Sequence, residues 1–135
     1  MSFRVILILP LLLLGLSAQG QIIDVPETMP GDDKNISVQK ISSSEDATVY
    51  IIWVRDTVKP HFHANHTETI YMVEGEARFY LGDDMHLVSA GDFFLIPRNT
   101  VHSVRVISTD PVKVISTQCP EFFGKDRVFV EPKKP

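Results

Sequence analysis

The chain is poor in cysteine, since Cys119 is the only one among 135 residues. No disulfide can therefore form within the chain. The fold must instead be stabilised by core burial, oligomerisation, a metal ion or a combination of these. Cys119 ends a strand-like run just before Pro120, a position that predicts a buried, inert thiol.

Positive charge is also scarce. The chain carries 13 Lys and Arg residues against 17 Asp and Glu residues, for a formal net charge of −4. A mildly acidic surface repels polyanions, so we predict no nucleic-acid partner and no attraction to anionic lipid.

Long apolar runs are missing except at the N-terminus. Arg4 precedes the apolar residues 5–14, and the small residues Ala18 and Gly20 follow them. This pattern predicts a signal peptide over residues 1–20, cleaved before Gln21, and hence a periplasmic or secreted protein. The run is shorter than the roughly 20 residues that cross a bilayer, so we expect no stable membrane span after cleavage.

Helical periodicity is absent after residue 20. Residues 21–34 read as an irregular N-terminal arm, residues 35–131 as the folded domain and residues 132–135 as a tail. Short runs of alternating, β-branched and aromatic residues predict strands over 35–42, 47–55, 69–73, 76–81, 85–89, 93–96, 101–108, 112–118 and 127–130. Eight or nine such strands predict an all-β antiparallel sandwich or barrel.

Histidine, by contrast, is concentrated. His61, His63 and His66 lie within six positions, Glu68 follows them, and His102 lies beyond a further turn. A His-x-His pair is weak evidence alone, but on a strand His61 and His63 share one face, about 6.6 Å apart. Glu68 and His102 on neighbouring strands could then complete a metal site in a pocket backed by apolar side chains.

These residues resemble the first motif of the cupin family, G-x5-H-x-H-x3,4-E-x6-G. His61, His63, Glu68 and Gly75 stand at its spacing, while Arg55 replaces its first glycine.

The second cupin motif, G-x5-P-x-G-x2-H-x3-N, is matched by Gly91, Pro97 and His102. Asn99 replaces its middle glycine and Val106 its final asparagine. Asn tolerates the left-handed backbone that a turn glycine supplies, so Asn99 is a mild departure.

The resemblance implies a double-stranded β-helix, the cupin or jelly-roll barrel, that holds one divalent metal ion by His61, His63, Glu68 and His102. Imidazole and carboxylate ligands without thiolate suit Fe²⁺, Mn²⁺, Zn²⁺, Ni²⁺ or Cu²⁺ and do not single one out. The resemblance favours Fe²⁺ or Mn²⁺. Two coordination positions of an octahedral ion would stay open, unlike those of a closed structural zinc site.

The expected function is that of a metal-dependent, dioxygenase-type enzyme whose small substrate chelates the ion through adjacent oxygens. His66 is the candidate acid or base, although it could also support a ligand or be a solvated loop residue. Apolar side chains on the ligand faces of the strands predict a pocket lined by Ile70, Met72, Phe79, Val104 and Val106.

Two other function classes remain open at this point. The domain could capture a small ligand or a metal without turnover, or it could be a Lewis-acid isomerase or decarboxylase. Outward apolar residues such as Tyr71 and Val73 predict a homodimer. Asn35 and Asn65 begin glycosylation sequons, and we interpret the one at Asn65 as a chance match beside the metal loop.

Overall fold

The structure, a computed structural model, describes residues 20, 22–27, 29–31 and 34–131. The predicted signal peptide therefore lies outside the described residues except for Gly20, and so does the predicted tail. Those residues of the predicted N-terminal arm that are described have no regular secondary structure. Among the described residues, no helix has the length and the apolar character needed to cross a membrane.

Two five-stranded antiparallel sheets form the domain, with the strand orders β1-β2-β9-β4-β7 and β10-β3-β8-β5-β6. The strands are β1 (Ile36–Ser43), β2 (Thr48–Val54), β3 (Thr57–His63), β4 (Thr67–Glu74), β5 (Glu76–Leu81), β6 (Asp84–Ser89), β7 (Phe93–Ile96), β8 (His102–Val106), β9 (Val112–Cys119) and β10 (Arg127–Phe129). The all-β double-stranded β-helix is confirmed, with ten strands where eight or nine were expected.

The additional strand is β3, which carries the histidine pair. Pro60 lies within it and cannot donate a ladder hydrogen bond, so its sequence does not read as a regular strand. The ladder between β3 and β8 accommodates Pro60 with a register shift between Val58 and His61. The shift leaves His61 directly opposite His102.

Apolar side chains from both sheets meet to form the core. Alternation along β5 buries Ala77 and Phe79 and leaves Glu76, Arg78 and Tyr80 exposed. The main cluster consists of Ile70, Met72, Ala77, Phe79, Val88, Ile96, Val112 and Val114. The histidines share this interior, since His61 and His102 line one cavity together with the residues of the cluster.

Two turn residues of the predicted motifs adopt the backbone that their positions require. Gly75 has a φ of 87°, and a Cβ there would come within 3.0 Å of the Val112 backbone. Asn99 has a φ of 61°, which confirms that it replaces a turn glycine. The amide of Asn99 donates to the carbonyl of His63, and this bond ties the second motif to β3.

The prediction for Cys119 is wrong, because its side chain is exposed. Alternation along β9 buries Ser116 and Gln118 in the interior. Cys119, at the next position after Gln118, therefore points the other way.

Candidate metal centre

Three imidazoles converge between the sheets. His61 and His63 project from β3 and His102 from β8, and all three are buried. One nitrogen from each ring lies within 4.8 Å of the nitrogens of the other two. This convergence follows from the period of two along β3 and from the pairing of His61 with His102.

Backbone carbonyls orient two of the three rings. Nδ1 of His61 donates to the carbonyl oxygen of Lys59 at 2.8 Å, and Nδ1 of His102 donates to that of Thr100 at 3.0 Å. A carbonyl oxygen can only accept, so each Nδ1 carries the hydrogen and each Nε2 keeps its lone pair. This is the ring orientation by which metal-bound histidines are commonly held.

Glu68 faces the imidazoles from the opposite sheet. Its Oε2 lies 3.4 Å from Nε2 of His63 and 3.4 Å from Nε2 of His102. Its other oxygen, Oε1, accepts a 2.5 Å hydrogen bond from Ser116 Oγ and lies 3.4 Å from Nε2 of Gln118. Ser116 and Gln118 are on β9, the neighbour of β4, so one strand carries the carboxylate and the next orients it.

The electrostatics suit cation binding. Burial would raise the pKa of Glu68, but polar contacts with His102, His63 and Ser116 outweigh it and hold that pKa well below its usual range. Burial and the nearby His102 lower the pKa of His61 to about 4. At neutral pH the site therefore presents an ionised carboxylate and a neutral imidazole at His61, which are the forms that bind a metal.

The surroundings of His63 show whether a metal ion fits between these side chains. Within the described part of the chain, neither ring nitrogen of this buried side chain has a hydrogen-bond partner. Its Nε2 is near Glu68 Oε2 but lacks the alignment of a hydrogen bond. A buried polar atom without a partner costs roughly 1–3 kcal/mol. A divalent ion bound by His61, His63, His102 and Glu68 would give that nitrogen a partner, so the donor set fits the predicted group.

A narrow cavity of about 80 Å³ leads to the imidazoles. Ile70, Met72, Phe79 and Val104 are among the residues that line it. Val106 does not line it; its side chain packs against the core cluster near the end of β8. The walls include Ile36, Val38, Ile52 and Val54 of β1 and β2, and Arg127 of β10. Sequence reasoning missed these residues because only the pairing of the strands brings them to the site.

His66 is placed differently. It is 8% exposed, so its interpretation as a solvated loop residue is wrong. Nδ1 contacts Asp126 Oδ2 at 2.6 Å, and Nε2 contacts the carbonyl oxygen of Glu121 at 3.0 Å. The ring of Phe122 packs edge-on against His66 and His63, with centroid distances of 5.0 and 5.5 Å. Both nitrogens of His66 are thus engaged by the loop that follows β9, and a role as acid or base requires one of these bonds to break.

Asp126 links His66 to Asn65. It also accepts hydrogen bonds from the backbone and side-chain nitrogens of Asn65, both at 2.8 Å. Burial would raise the pKa of Asp126, but the hydrogen bonds from His66 and Asn65 outweigh it and lower that pKa to about 2. The side-chain nitrogen of Asn65, where a glycan would be attached, is occupied by this contact.

Comparison with models of known protein families identifies one family. The model of the cupin domain matches residues 48–117. An uncharacterised protein of Aquifex aeolicus is 29% identical over 101 residues, which are 75% of this chain and 83% of that protein. Quercetin 2,3-dioxygenase of Bacillus subtilis is 34% identical over 68 residues, which are 50% of this chain but only 20% of that enzyme.

Comparison with solved structures supports the fold. A conserved protein with a double-stranded β-helix domain from Klebsiella pneumoniae superposes with a TM-score of 0.71 at 19% identity. The superposition covers 84% of this chain and all of that one.

Proposed function

Because this chain belongs to the cupin family, we propose that it binds one divalent metal ion through His61, His63, Glu68 and His102. We further propose that it is a dioxygenase-type enzyme acting on a small substrate that chelates the ion. The observation that carries the proposal is the buried ring of His63, which lies beside two imidazoles and a carboxylate and has no hydrogen-bond partner among the described residues.

The donor set suits a divalent transition metal. Three imidazoles and one carboxylate without thiolate can bind Fe²⁺, Mn²⁺, Zn²⁺, Ni²⁺ or Cu²⁺, and the proposed dioxygenase type favours Fe²⁺ or Mn²⁺. When bound, such an ion supplies Lewis-acid polarisation of substrate oxygens and, if it is redox-active, electrons for dioxygen chemistry.

The chain's own residues orient the proposed ligands and exclude water from the cavity. The carbonyls of Lys59 and Thr100 hold two imidazoles in one tautomer, and Ser116 keeps the carboxylate of Glu68 turned inward. The aliphatic and aromatic walls of the cavity desolvate whatever enters. Polar interactions are stronger in such a low-dielectric site than in water.

Two observations support the dioxygenase type over simple capture. The cavity is largely apolar, which suits a substrate with a hydrocarbon or aromatic part. The chain also shares 34% identity, over 68 residues, with a curated quercetin 2,3-dioxygenase.

The test has two stages. Protein purified without added ions is analysed for metal and then assayed for oxygen uptake with a panel of catechols, enediols and β-diketones. We expect about one ion per chain and oxygen consumption with at least one substrate. Protein without metal would contradict the centre, whereas stoichiometric metal without oxygen uptake would contradict the dioxygenase type and favour capture or Lewis-acid chemistry. Exposed His86 provides the matched control, since His86→Ala should change neither result.

A further inference from the structure

The rim of the cavity is built by β10, the shortest strand of the second sheet. Arg127 pairs with His63 and Phe129 with His61 in the ladder with β3. The ring of Phe129 lies 5.9 Å from the ring of His61, and Arg127 lines the cavity together with His61, Glu68 and His102. An exposed arginine is thus among the residues that line the cavity of the candidate metal centre.

Arg127 is the only Lys or Arg among the described residues that line the cavity. Apart from this residue, the two histidines and Glu68, every lining residue is apolar.

The charge balance of the loaded site is positive. Neutral imidazoles, one carboxylate and a divalent ion sum to one positive charge, and Arg127 adds a second. The oxygens of two nearby carboxylates are already engaged, those of Asp126 by Asn65 and His66 and one of Glu121 by Ser43. An anionic ligand would offset the excess charge, and apolar walls would strengthen its attraction to the guanidinium.

We propose that Arg127 binds a carboxylate of the substrate, so that the site selects small chelating molecules that combine oxygen donors, an apolar part and a carboxylate group. This inference rests on the proposed metal centre, because the oxygen donors need the ion. The planar guanidinium matches a carboxylate with two parallel hydrogen bonds. A phosphate group carries more charge and more acceptor oxygens than one guanidinium can satisfy, so a carboxylate is the better match.

Two β-diketone probes separate the contribution of Arg127 from that of the metal. Acetylacetone chelates through its two oxygens and lacks a carboxylate, and acetylpyruvate is the same diketone with a carboxylate in place of one methyl group. Calorimetric titration of the metal-loaded protein gives a Kd for each probe. The variants are Arg127→Gln, Arg127→Lys and a control, Arg78→Gln, at an exposed position on the outer face of β5.

We expect the wild-type protein to bind acetylpyruvate about tenfold or more tightly than acetylacetone, as a charge-assisted, bidentate contact predicts. Arg127→Gln should remove this preference without changing the metal content or the Kd of acetylacetone. Arg127→Lys should keep part of the preference, and Arg78→Gln should keep all of it.

Equal Kd values for the two probes in the wild-type protein would overturn the inference, and so would a preference that survives Arg127→Gln. Metal-loaded protein that binds neither probe would also overturn it. The metal content, measured before each titration, separates these results from failure of the proposed function, since protein that holds no metal would refute both.

Discussion

The two groups of histidines differ in the partners of their ring nitrogens. His61 and His102 each give one nitrogen to a backbone carbonyl and direct the other toward the interior, whereas His66 has both nitrogens beside oxygen acceptors of the loop after β9. Burial does not separate the groups, because all of these side chains are nearly inaccessible. A histidine can bind a metal ion only if one ring nitrogen keeps a lone pair that no other group uses. Closeness in sequence to other histidines does not show this.

The two groups of histidines also differ in their electrostatic surroundings. Both ring nitrogens of His66 lie beside oxygens that can only accept, those of ionised Asp126 and of the Glu121 carbonyl. Burial holds His61 in the neutral form. The neutral imidazole of His61 suits a metal, whereas His66 acts as a clamp between the 64–66 turn and the loop that follows β9.

The clamp stabilises one wall of the metal centre. The 120–126 loop carries Phe122, whose amide donates to Thr48 Oγ1 and whose ring contacts His63. By holding Glu121 and Asp126, His66 keeps Phe122 against the imidazole. We infer that His66 contributes to the stability of this wall and not to metal ligation.

The largest effect should follow from removing a ligand. We expect His61→Ala or His102→Ala to abolish metal retention, because each deletes one of the four proposed ligands and opens a gap in the buried donor set. Metal analysis after gel filtration measures this, with His86→Ala as the control. Retention of stoichiometric metal by both variants would contradict the ligand assignment.

Removing the support of Glu68 should have a smaller effect. Ser116→Ala deletes the 2.5 Å hydrogen bond to Oε1 and should weaken metal binding by about 10- to 100-fold. Competition with a chelator measures the affinity. Thr117→Ala, on the opposite face of β9, is the control, and an equal loss in both variants would show that Ser116 acts only through stability of the strand.

His66→Ala should reduce stability and spare the metal. The substitution leaves acceptors of Asp126 and Glu121 without donors, so we expect the free energy of unfolding to fall by about 1–3 kcal/mol. Urea denaturation of the metal-free protein measures the fall, and metal content should stay at the wild-type value. If His66→Ala lost its metal as completely as His102→Ala, the separation of His66 from the ligand histidines would be contradicted.

The smallest expected effect is on the pH dependence of stability, and it involves Asp126. The pKa of Asp126 is lowered to about 2 in the folded protein, so its ionised form stabilises the fold. This contribution is fully present above the ordinary Asp pKa of about 3.9 and is lost as the pH falls toward 2. The stability difference between wild-type protein and Asp126→Asn should therefore shrink between about pH 4 and pH 2. A difference that stays constant over that range would contradict the role of Asp126.

Much of the fold could be predicted from the sequence because it depends on local pattern. Alternation in β5 gave the inward positions of Ala77 and Phe79, and Gly75 and Asn99 marked turns by their backbone needs. The positions of His61, His63, Glu68 and His102 followed from motif spacing, and the structure brings them together.

The remaining features depend on contacts between residues distant in the chain. His66 and Asp126 are separated by 60 residues, and neither shows a pattern that points to the other. Arg127 reaches the cavity only because β10 pairs with β3, and Val106 misses it although it shares a face with Val104. Alternation predicts the face of a sheet, but it does not predict how far along that face a cavity extends.

X-ray absorption spectroscopy of the zinc-loaded protein tests the central claim most directly. We predict a first shell of three imidazole nitrogens and carboxylate oxygen at about 2.0–2.2 Å, unchanged in His66→Ala. A shell with fewer than two imidazoles, or with a sulfur at about 2.3 Å from Cys119, would contradict the assignment of His61, His63, Glu68 and His102 as the metal centre.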